Sequence, residues 1–513
     1  MMDIGSWAQK HPHKIACSMA DGSQKLTFQQ LNEQVGKGAQ FFEDEGLAPG
    51  DHVGLLLDNQ LAYFSVCFAA ERAGLYYTPI NIRLSCDDIA FIIQHSEIKI
   101  LVTEQRFVQQ WPELFIKLQQ HMAIFYVDGV GTDNWFQTIQ GHHVKDTATG
   151  SLGQDMIYSS GTTGTPKAIK WPLVELPSNG RTMLVDLLSG LFGYDDNTNY
   201  LSTAPLYHAA PLRHSMTVMK VGGCVYVMEK FDALESLKAI ETLSITHSQW
   251  VPAMFVRLLK LPLSTRTQFD LSSHQMAVHA AAPCPIDIKQ MMMDWWGPII
   301  HEYYAGTENN GFCAITPTQW MSHRGSVGRS KHGVIHICDD EGSPLPIGQI
   351  GHVYFSGGQP FAYHKDPERT AKTQNELGWT TIGDIGKIDE EGYLYLQDRV
   401  DFLINSGGVK IYPQKIEDAI VTQENVMDVA VFGWPDDDFG EVVTAIIQPL
   451  EAVEDEKRFA DDIKRELSSK LGKFEIPKHI GFLEQLPRHP TGKLYKKKLR
   501  EDLLASVQKI NFW

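Results

Sequence analysis

One ten-residue segment sets the expectations for the whole chain: Tyr158-Ser159-Ser160-Gly161-Thr162-Thr163-Gly164-Thr165-Pro166-Lys167. Glycine lets backbone N–H groups crowd an anion, the Ser and Thr hydroxyls donate to its oxygens, and the lysine supplies positive charge. This composition predicts a loop that wraps a polyphosphate; a flexible polar loop is the alternative. The segment is not a Walker A loop, because the Gly-Lys-Ser/Thr ending is absent.

Length and composition indicate a globular chain of several domains. At 513 residues it exceeds the roughly 250–300 residues at which a single core stops growing. Hydrophobic residues make up 43% and charged residues 21%, as in soluble globular proteins. The net charge of -17 argues against nucleic acid as a partner.

The N-terminal residues lack the basic and then apolar order of a signal peptide, and no apolar run reaches the roughly 18 residues of a membrane span. We therefore expect no integral membrane segment and a cytoplasmic location. The seven scattered cysteines form no Cys-x-x-Cys pair, which predicts small buried residues and neither a zinc site nor a disulfide frame.

Helical and strand patterns alternate in the first hundred residues. Thr27-Phe28-Gln29-Gln30 has the order of a capping box that opens a helix. Residues 52–57 and 76–80 read as strands on either side of a helix over 60–73. This alternation predicts an α/β fold with a parallel sheet.

Three later segments carry residues suited to a nucleotide. The small residues of 278–283 form a turn against which a flat ring could lie. Residues 302–308 place an aromatic, a glycine, a hydroxyl and a carboxylate at a strand end, which suits a nucleotide with its Mg²⁺. Asp384, in a glycine-rich turn, could accept both hydrogen bonds of a ribose diol. Ordinary surface turns are the alternatives, at Thr307-Glu308 and at Asp384.

Two aromatic segments invite chemical interpretations. His208 lies where 199–212 runs from a strand into a proline-bounded turn, and is either a structural histidine or a polar ring that walls a pocket for a carboxylate ligand. The run Gln290–Trp296 favours the core face of a helix.

A domain boundary is predicted near residues 393–404, where a strand gives way to a charged break and a second strand. Beyond it, Gly407-Gly408 form a turn that leads through Pro413 into a helix of a small α/β unit. The basic tail contains Lys493, fixed on a turn by neighbouring proline and glycine; a solvated basic face is the alternative.

In this order, the segments resemble the acyl-CoA synthetase branch of the adenylate-forming superfamily, from about residue 11 to residue 500. The resemblance implies a large N-terminal ATP- and acyl-binding domain of layered α/β subdomains (1–398), a hinge (399–403) and a small mobile α/β C-terminal lid domain (404–513). The implied cofactors are ATP, Mg²⁺ and coenzyme A as co-substrate. The implied roles are ATP phosphates on Ser159, Ser160, Gly161, Thr162, Thr163, Gly164 and Lys167; adenine at Ala281, Ala282, Pro283 and Tyr304; ribose on Asp384 and Arg399; phosphate and Mg²⁺ at Thr307 and Glu308; the hinge at Asp401; the pantetheine arm past Gly407 and Gly408; and catalysis by Lys493, with Glu308, Thr307 and His208.

The implied reaction joins a carboxylate to the α-phosphate of ATP, giving acyl-AMP and pyrophosphate, before the CoA thiol attacks. Two anions must approach, so Mg²⁺ on Glu308 and the ammonium of Lys493 would offset their repulsion. The expected partners are a small carboxylic acid, ATP and CoA, and a homo-oligomer stays open. Apolar residues around His208, small residues at Ala209 and Ala210, and Trp250 predict a sizeable apolar acyl group: fatty, aryl or steroid-type.

The chain departs from the family pattern at three places. Ala280 and Ala281 replace usual glycines, Ile382 stands where a threonine is frequent, and Asp398 replaces the usual glycine before the hinge arginine. No charged catalytic group is lost, so we expect activity to be retained.

Other functions of the same scaffold stay open as alternatives. An amino-acid adenylation domain usually has an aspartate in the segment of Tyr207 and His208, and the chain stops about twenty residues after Lys493 with no carrier domain. A luciferase-like oxygenase shares the first half-reaction. A non-enzymatic binding protein is disfavoured by the presence of Glu308, Asp384 and Lys493.

Overall fold

Two compact units make up the chain. The computed structural model describes residues 3–145, 150–159, 165–175, 181–358, 360–488, 494–505 and 510–513. Unit 1 contains residues 1–249, 269–277 and 361–367, and unit 2 contains residues 250–268, 278–360 and 368–513. The hinge at 399–403 and the domain bounds derived from the sequence remain predictions.

Unit 1 alternates helices with short strands, as the sequence predicted. Its helices are α1 (Ile4–Lys10), α2 (Phe28–Asp44), α3 (Ala62–Arg72), α4 (Cys86–His95), α5 (Gln105–Gln110), α6 (Pro112–Leu118), α7 (Trp135–Gln140), α8 (Met183–Phe192), α9 (Ala209–Lys220) and α10 (Ala233–Thr242). Its strands are β1 (Ile15–Met19), β2 (Lys25–Thr27), β3 (His52–Leu56), β4 (Tyr76–Pro79), β5 (Ile98–Thr103), β6 (Ala123–Tyr126), β7 (Ser151–Leu152), β8 (Gln154–Asp155), β9 (Tyr158–Ser159), β10 (Lys167–Ala168), β11 (Val174–Glu175), β12 (Asn199–Ser202) and β13 (Cys224–Val227). Two further strands, β14 (His247–Trp250) and β15 (Met276–His279), start in unit 1.

A five-stranded parallel sheet, in the order β6-β5-β3-β4-β8, forms one layer of unit 1. Strand β3 is buried along its whole length, which is typical of a parallel strand covered on both faces. Another set of strands pairs in the order β14-β12-β13-β1-β2, and only the β1–β2 contact is antiparallel. The predicted α/β fold with parallel sheet is confirmed.

Local sequence signals explain several helix boundaries. Thr27 accepts a hydrogen bond from the Gln30 N–H and the Gln30 side chain accepts one from the Thr27 N–H, so the predicted capping box opens α2. Helix α3 is followed by Gly74, whose φ is 74°. The predicted turn after β12 is shorter than expected, because Pro211 lies in the first turn of α9, where its missing N–H is not needed.

Unit 2 is built mainly from antiparallel sheets. Its helices are α11 (Pro252–Leu259), α12 (Leu263–Arg266), α13 (Ile286–Trp296), α14 (Pro317–Ser322), α15 (Pro367–Ala371), α16 (Pro413–Val421), α17 (Glu456–Leu467) and α18 (Lys496–Leu504), with 3-10 turns at Val400–Phe402 and Lys473–Glu475. Its strands are β16 (Ile300–Ala305), β17 (Phe312–Ile315), β18 (Arg329–His332), β19 (Val334–Cys338), β20 (Gly351–Ser356), β21 (Asp384–Ile388), β22 (Leu394–Arg399), β23 (Ile404–Ser406), β24 (Val409–Ile411), β25 (Val426–Asp436), β26 (Gly440–Pro449) and β27 (His479–Phe482).

Three groups of strands organise unit 2. Strands β16, β17 and β18 pair antiparallel in that order, and so do β19-β20-β21-β22. The last sheet has the order β24-β23-β26-β25, and β27 joins β26 in parallel. Helix α13 buries Met292, Met293 and Trp296, which confirms the core-facing helix predicted there.

All seven cysteines are free thiols, and five of them are buried. Within the described parts of the chain, helices that could span a bilayer are absent.

Candidate active site

The predicted adenine-binding turn follows β15. Ala281 and Pro283 are exposed, and Ala282 is half-buried. Ala281 has a φ of 75°, in the left-handed region that favours glycine and costs other residues about 1 kcal/mol. A glycine would adopt this backbone without that cost, which is a physical reason for the glycine that the family resemblance leads us to expect here.

Three residues predicted to bind adenine and ribose lie together in unit 2. Asp384 and Arg399 are opposite each other on β21 and β22. The Tyr304 Oη donates a hydrogen bond to Asp384 Oδ2 at 2.6 Å, and Arg399 Nη2 donates to the Ile382 carbonyl at 2.9 Å. Burial, reinforced by the Asp384 carboxylate, raises the pKa of the Tyr304 phenol. The phenol therefore remains a donor at neutral pH and orients the carboxylate.

Thr307 and Glu308 come directly after β16. Thr307 Oγ1 donates to Glu308 Oε2 at 3.0 Å, and Glu308 is buried. A side-chain carbon added at Gly306 would lie 2.8 Å from Glu308 Oε2 and 2.9 Å from Ile382 Cδ1, so Gly306 lies close to both the Glu308 carboxylate and the residue two places before Asp384. The Glu308 carboxylate offers the hard oxygen ligand that suits Mg²⁺, whose other ligands are commonly phosphate oxygens and waters.

A buried ionic group flanks the strand that carries Tyr304. Lys289 on α13 donates to Glu302 Oε2 on β16 at 2.5 Å, with 0% and 7% of the two side chains exposed. The Lys289 ammonium lies 4.9 Å from the centre of the Trp320 ring, and His279 Nε2 is 3.4 Å from the same carboxylate oxygen. Burial, together with Lys289, lowers the pKa of His279 well below its usual value, so its ring is neutral. One cation thus balances one anion behind β16.

Strands β9 and β10 flank the predicted phosphate loop in unit 1. Ser159 pairs with Lys167 across this short antiparallel ladder. Lys167 Nζ donates to Tyr363 Oη at 2.6 Å and lies 4.4 Å from the centre of that ring. The remaining loop residues assigned to ATP lie outside the described residues: Ser160, Gly161, Thr162, Thr163 and Gly164.

His208 stands at the N-cap of α9 in unit 1. Its backbone is extended, with φ of -107° and ψ of 150°, and its ring meets the Tyr207 ring edge-on at 4.6 Å. The preceding Leu206 and Tyr207 are buried, whereas His208 is half-buried. The apolar setting agrees with the environment expected from the sequence, and its role beside an acid stays a prediction.

The predicted hinge and pantetheine residues lie in the C-terminal part of unit 2. Asp401 is exposed in a 3-10 turn, 3.8 Å from Arg399 Nη2. Gly407 and Gly408 form the exposed turn between β23 and β24, with φ of 57° and 83°. Lys493, the predicted catalytic lysine, lies outside the described residues.

Asp398, the unexpected residue before Arg399, has a local structural use. Its carboxylate accepts hydrogen bonds from the Arg399 N–H at 2.7 Å and from the Gln414 N–H at 2.9 Å. Gln414 is in the first turn of α16, where an anion is stabilised by the exposed N–H groups and the helix dipole.

Sequence analysis missed Tyr363 and the Lys289–Glu302 pair. Tyr363 is 196 residues from Lys167 in the chain, and no pattern within either segment predicts that they meet. Lys289 directly precedes the apolar run that predicted a core-facing helix, and that pattern gives no sign of a buried ion pair. Phe361-Ala362-Tyr363 is a short apolar run, and nothing in it indicates Lys167 as a partner.

Comparisons with known proteins agree with this arrangement over nearly the whole chain. The long-chain-fatty-acid–CoA ligase FadD13 of Mycobacterium tuberculosis is 27% identical over 493 residues, 94% of each chain. A feruloyl-CoA synthase from Amycolatopsis is 27% identical over 510 residues, 97% of this chain and 98% of that protein. The crystal structure of ATP-bound MatB from Rhodopseudomonas palustris superimposes with a TM-score of 0.81 at 25% identity, covering 99% of this chain and 100% of that one.

Family matches cover both ends of the chain. Residues 5–362 match the AMP-binding enzyme family, and residues 415–493 match the AMP-binding enzyme C-terminal domain. Since the first match alone spans well over half of the 513 residues, the chain belongs to the AMP-binding enzyme family of the adenylate-forming superfamily, as the ordered motifs predicted.

Proposed function

We propose that this protein is an AMP-forming carboxylate:CoA ligase that activates a mostly apolar carboxylic acid with ATP and transfers the acyl group to CoA. The observation that carries the proposal is the arrangement of Tyr304, Asp384 and Arg399 with Glu308 close by in unit 2. It combines a diol-binding carboxylate, an aromatic ring and a hard metal ligand, as a magnesium nucleotide requires.

In the first half-reaction, a carboxylate oxygen of the acid attacks the α-phosphorus of ATP. The bond between the α-phosphorus and the bridging oxygen breaks, and pyrophosphate leaves with both bonding electrons. Asp384 would hold the ribose, Glu308 would hold Mg²⁺, and Lys493 would stabilise the charge that develops around the reacting phosphorus. Mg²⁺, when bound, neutralises phosphate charge.

In the second half-reaction, the thiolate sulfur of CoA attacks the acyl carbon of the mixed anhydride. The bond from that carbon to the phosphate oxygen breaks, and AMP leaves. The Gly407-Gly408 turn lacks side chains that would obstruct a narrow pantetheine arm. We include in the proposal a hinge at residues 399–403 that lets the C-terminal part serve each half-reaction in turn.

The class of acid rests on the apolar setting of His208. Leu206, Tyr207 and Leu212 beside it are buried, which favours an apolar acyl chain or ring over a small polar acid. The relatives named above include a long-chain-fatty-acid–CoA ligase and a feruloyl-CoA synthase. Both fatty and aryl acids therefore belong in the substrate panel.

The decisive experiment measures pyrophosphate release from purified protein with Mg-ATP and a panel of fatty, aryl and steroid-type acids. We expect release with at least one apolar acid, and thioester formation only after CoA is added. If acyl-AMP forms but no thioester appears after CoA is added, the acyl acceptor is another molecule, such as a carrier protein. No pyrophosphate release with any acid would contradict the proposed function.

The role of Lys493 is tested with Lys493→Ala. Loss of one electrostatic group at the reacting phosphorus should lower the rate of acyl-AMP formation by about 10²–10³. Lys497→Ala is the matched control, because Lys497 is a largely exposed lysine on α18. If Lys493→Ala forms thioester from free acid and ATP at the wild-type rate, Lys493 is not the catalytic lysine.

A further inference from the structure

Two buried tyrosines contact lysines next to the predicted phosphate loop, and the two pairs differ. Lys167 donates to the Tyr363 hydroxyl at 2.6 Å and also lies over its ring. Lys170 lies 4.6 Å from the centre of the Tyr76 ring, whereas the Tyr76 hydroxyl donates to the Trp171 carbonyl at 2.5 Å. Tyr363 is 5% exposed and Tyr76 is 4% exposed, so the two pairs are matched in burial but not in hydrogen bonding.

Tyr363 is fixed relative to the strand that carries Lys167. It forms an isolated antiparallel bridge with Ile169, and the next residue, His364, donates its N–H to the Ala168 carbonyl at 2.8 Å. Its ring packs edge-on against Phe361 with centroids 5.5 Å apart. These contacts hold Tyr363 in a fixed position beside β10, so its hydroxyl oxygen is an acceptor at a defined place near Lys167.

The Tyr363 phenol is a neutral acceptor, which suits a lysine whose positive charge must remain available to bind an anionic ligand. A lysine ammonium is a compact charge on a flexible stem with three N–H donors. A phenol oxygen and an aromatic face hold it without cancelling its charge. A carboxylate partner would instead offset the positive charge, as Asp155 does for Arg213 in the same unit at 2.8 Å.

We propose that Tyr363 is a positioning residue that holds the Lys167 ammonium in place for the phosphates of ATP, and that the Tyr76 hydroxyl has no such role. The inference rests on the proposed function, because it takes ATP as the ligand. Tyr363 acts through Lys167 and so contributes to the affinity for the phosphate groups, not for the nucleoside.

The test measures dissociation constants by calorimetry in the absence of acid, so that no reaction occurs, for ATP and for adenosine, which lacks phosphates. Tyr363→Phe removes the hydrogen bond and keeps the ring. We expect it to weaken ATP binding by about 3-fold to 10-fold, the range of one ordinary net hydrogen-bond contribution, because Tyr363 acts indirectly and the Lys167 charge itself is retained. Adenosine binding should be unchanged, and Tyr76→Phe should bind ATP like the wild type.

A double-mutant cycle separates positioning from a general structural effect. In a Lys167→Met background, Tyr363→Phe should cause no further loss of ATP affinity. An equal loss in both backgrounds, an equal loss for adenosine, or wild-type ATP binding by Tyr363→Phe would each overturn the inference while the proposed function stands. Wild-type protein that binds no ATP would overturn both.

Discussion

Two buried Lys–Glu pairs among the described residues of unit 2 have similar geometry but different surroundings. Lys289 and Glu302 are 0% and 7% exposed, and their neighbours are a neutral His279 and the Trp320 ring. Lys496 and Glu417 are 2.8 Å apart and are 8% and 10% exposed. Around this second pair the neighbouring carboxylates outnumber the ammonium, and Arg488, a further cation near Glu417, is itself bound to Asp428.

The second pair lies beside the predicted hinge. Asp418 follows Glu417 on α16, and Asp398 accepts the N–H of Gln414 at the start of the same helix. Burial raises the pKa of Asp418 to about 7, and the neighbouring Glu417 adds to the shift. A balanced pair therefore fixes the strand behind the candidate nucleotide site, whereas a carboxylate excess near the predicted hinge makes that region sensitive to pH.

The largest expected effect comes from breaking the balanced pair. Lys289→Met leaves the Glu302 carboxylate buried without its cation, and such a loss typically costs about 3–5 kcal/mol. Urea denaturation should show this decrease in the free energy of unfolding. The double variant Lys289→Met with Glu302→Leu removes both charges and should recover most of it. A decrease in the free energy of unfolding below about 1 kcal/mol for Lys289→Met alone would show that the pair does not fix β16 in place.

Breaking the Lys496–Glu417 pair near the predicted hinge should cost less free energy of unfolding. In Lys496→Met, Glu417 keeps the hydrogen bond from the Val431 N–H at 2.7 Å, and both side chains are slightly more exposed than those of the first pair. We expect a decrease of about 1–3 kcal/mol in the free energy of unfolding. The decrease should grow with pH, because burial already raises the pKa of Glu417 and the lost ammonium opposed that shift. A loss equal to that of Lys289→Met, measured in the same urea series, would remove the distinction between the two regions.

The smallest effect, of opposite sign, is expected at Asp418. Its pKa of about 7 exceeds the ordinary 3.8, so the folded protein disfavours ionisation. The penalty is absent below pH 3.8, grows as pH rises towards 7 and is complete above it. Because the Asp418 side chain is only half-buried and keeps contact with water, Asp418→Asn should stabilise the protein by about 1 kcal/mol at pH 8, less than the full pKa difference would give, and by little at pH 4.

The control for this variant is Asp461→Asn, an exposed aspartate on α17. It should show no comparable rise in relative stability between pH 4 and pH 8, measured by urea denaturation. A gain for Asp418→Asn that does not change with pH would contradict the carboxylate-excess interpretation.

Local sequence patterns were sufficient where a few neighbouring residues determine the structure. The capping box at Thr27 formed as predicted, because its hydrogen bonds join residues three apart. The alternation that predicted parallel sheet also depends on short segments, as β3 and β4 show. Residues with suitable chemistry, such as Glu308 and Asp384, could be selected because their glycine-rich turns are visible in the sequence.

Contacts between distant segments could not be predicted in this way. Tyr304 meets Asp384 across 80 residues, and Lys167 meets Tyr363 across 196. The left-handed backbone at Ala281 was equally hidden, since alanine itself gives no sign of a positive φ.

The family, the α/β fold class and the residue types available for nucleotide chemistry followed from local order and composition. Which carboxylate each donor meets, and which ion pair is balanced, could be seen only in the folded chain. Hydrogen bonds and burial depend on packing between elements, and one segment does not specify its distant neighbours.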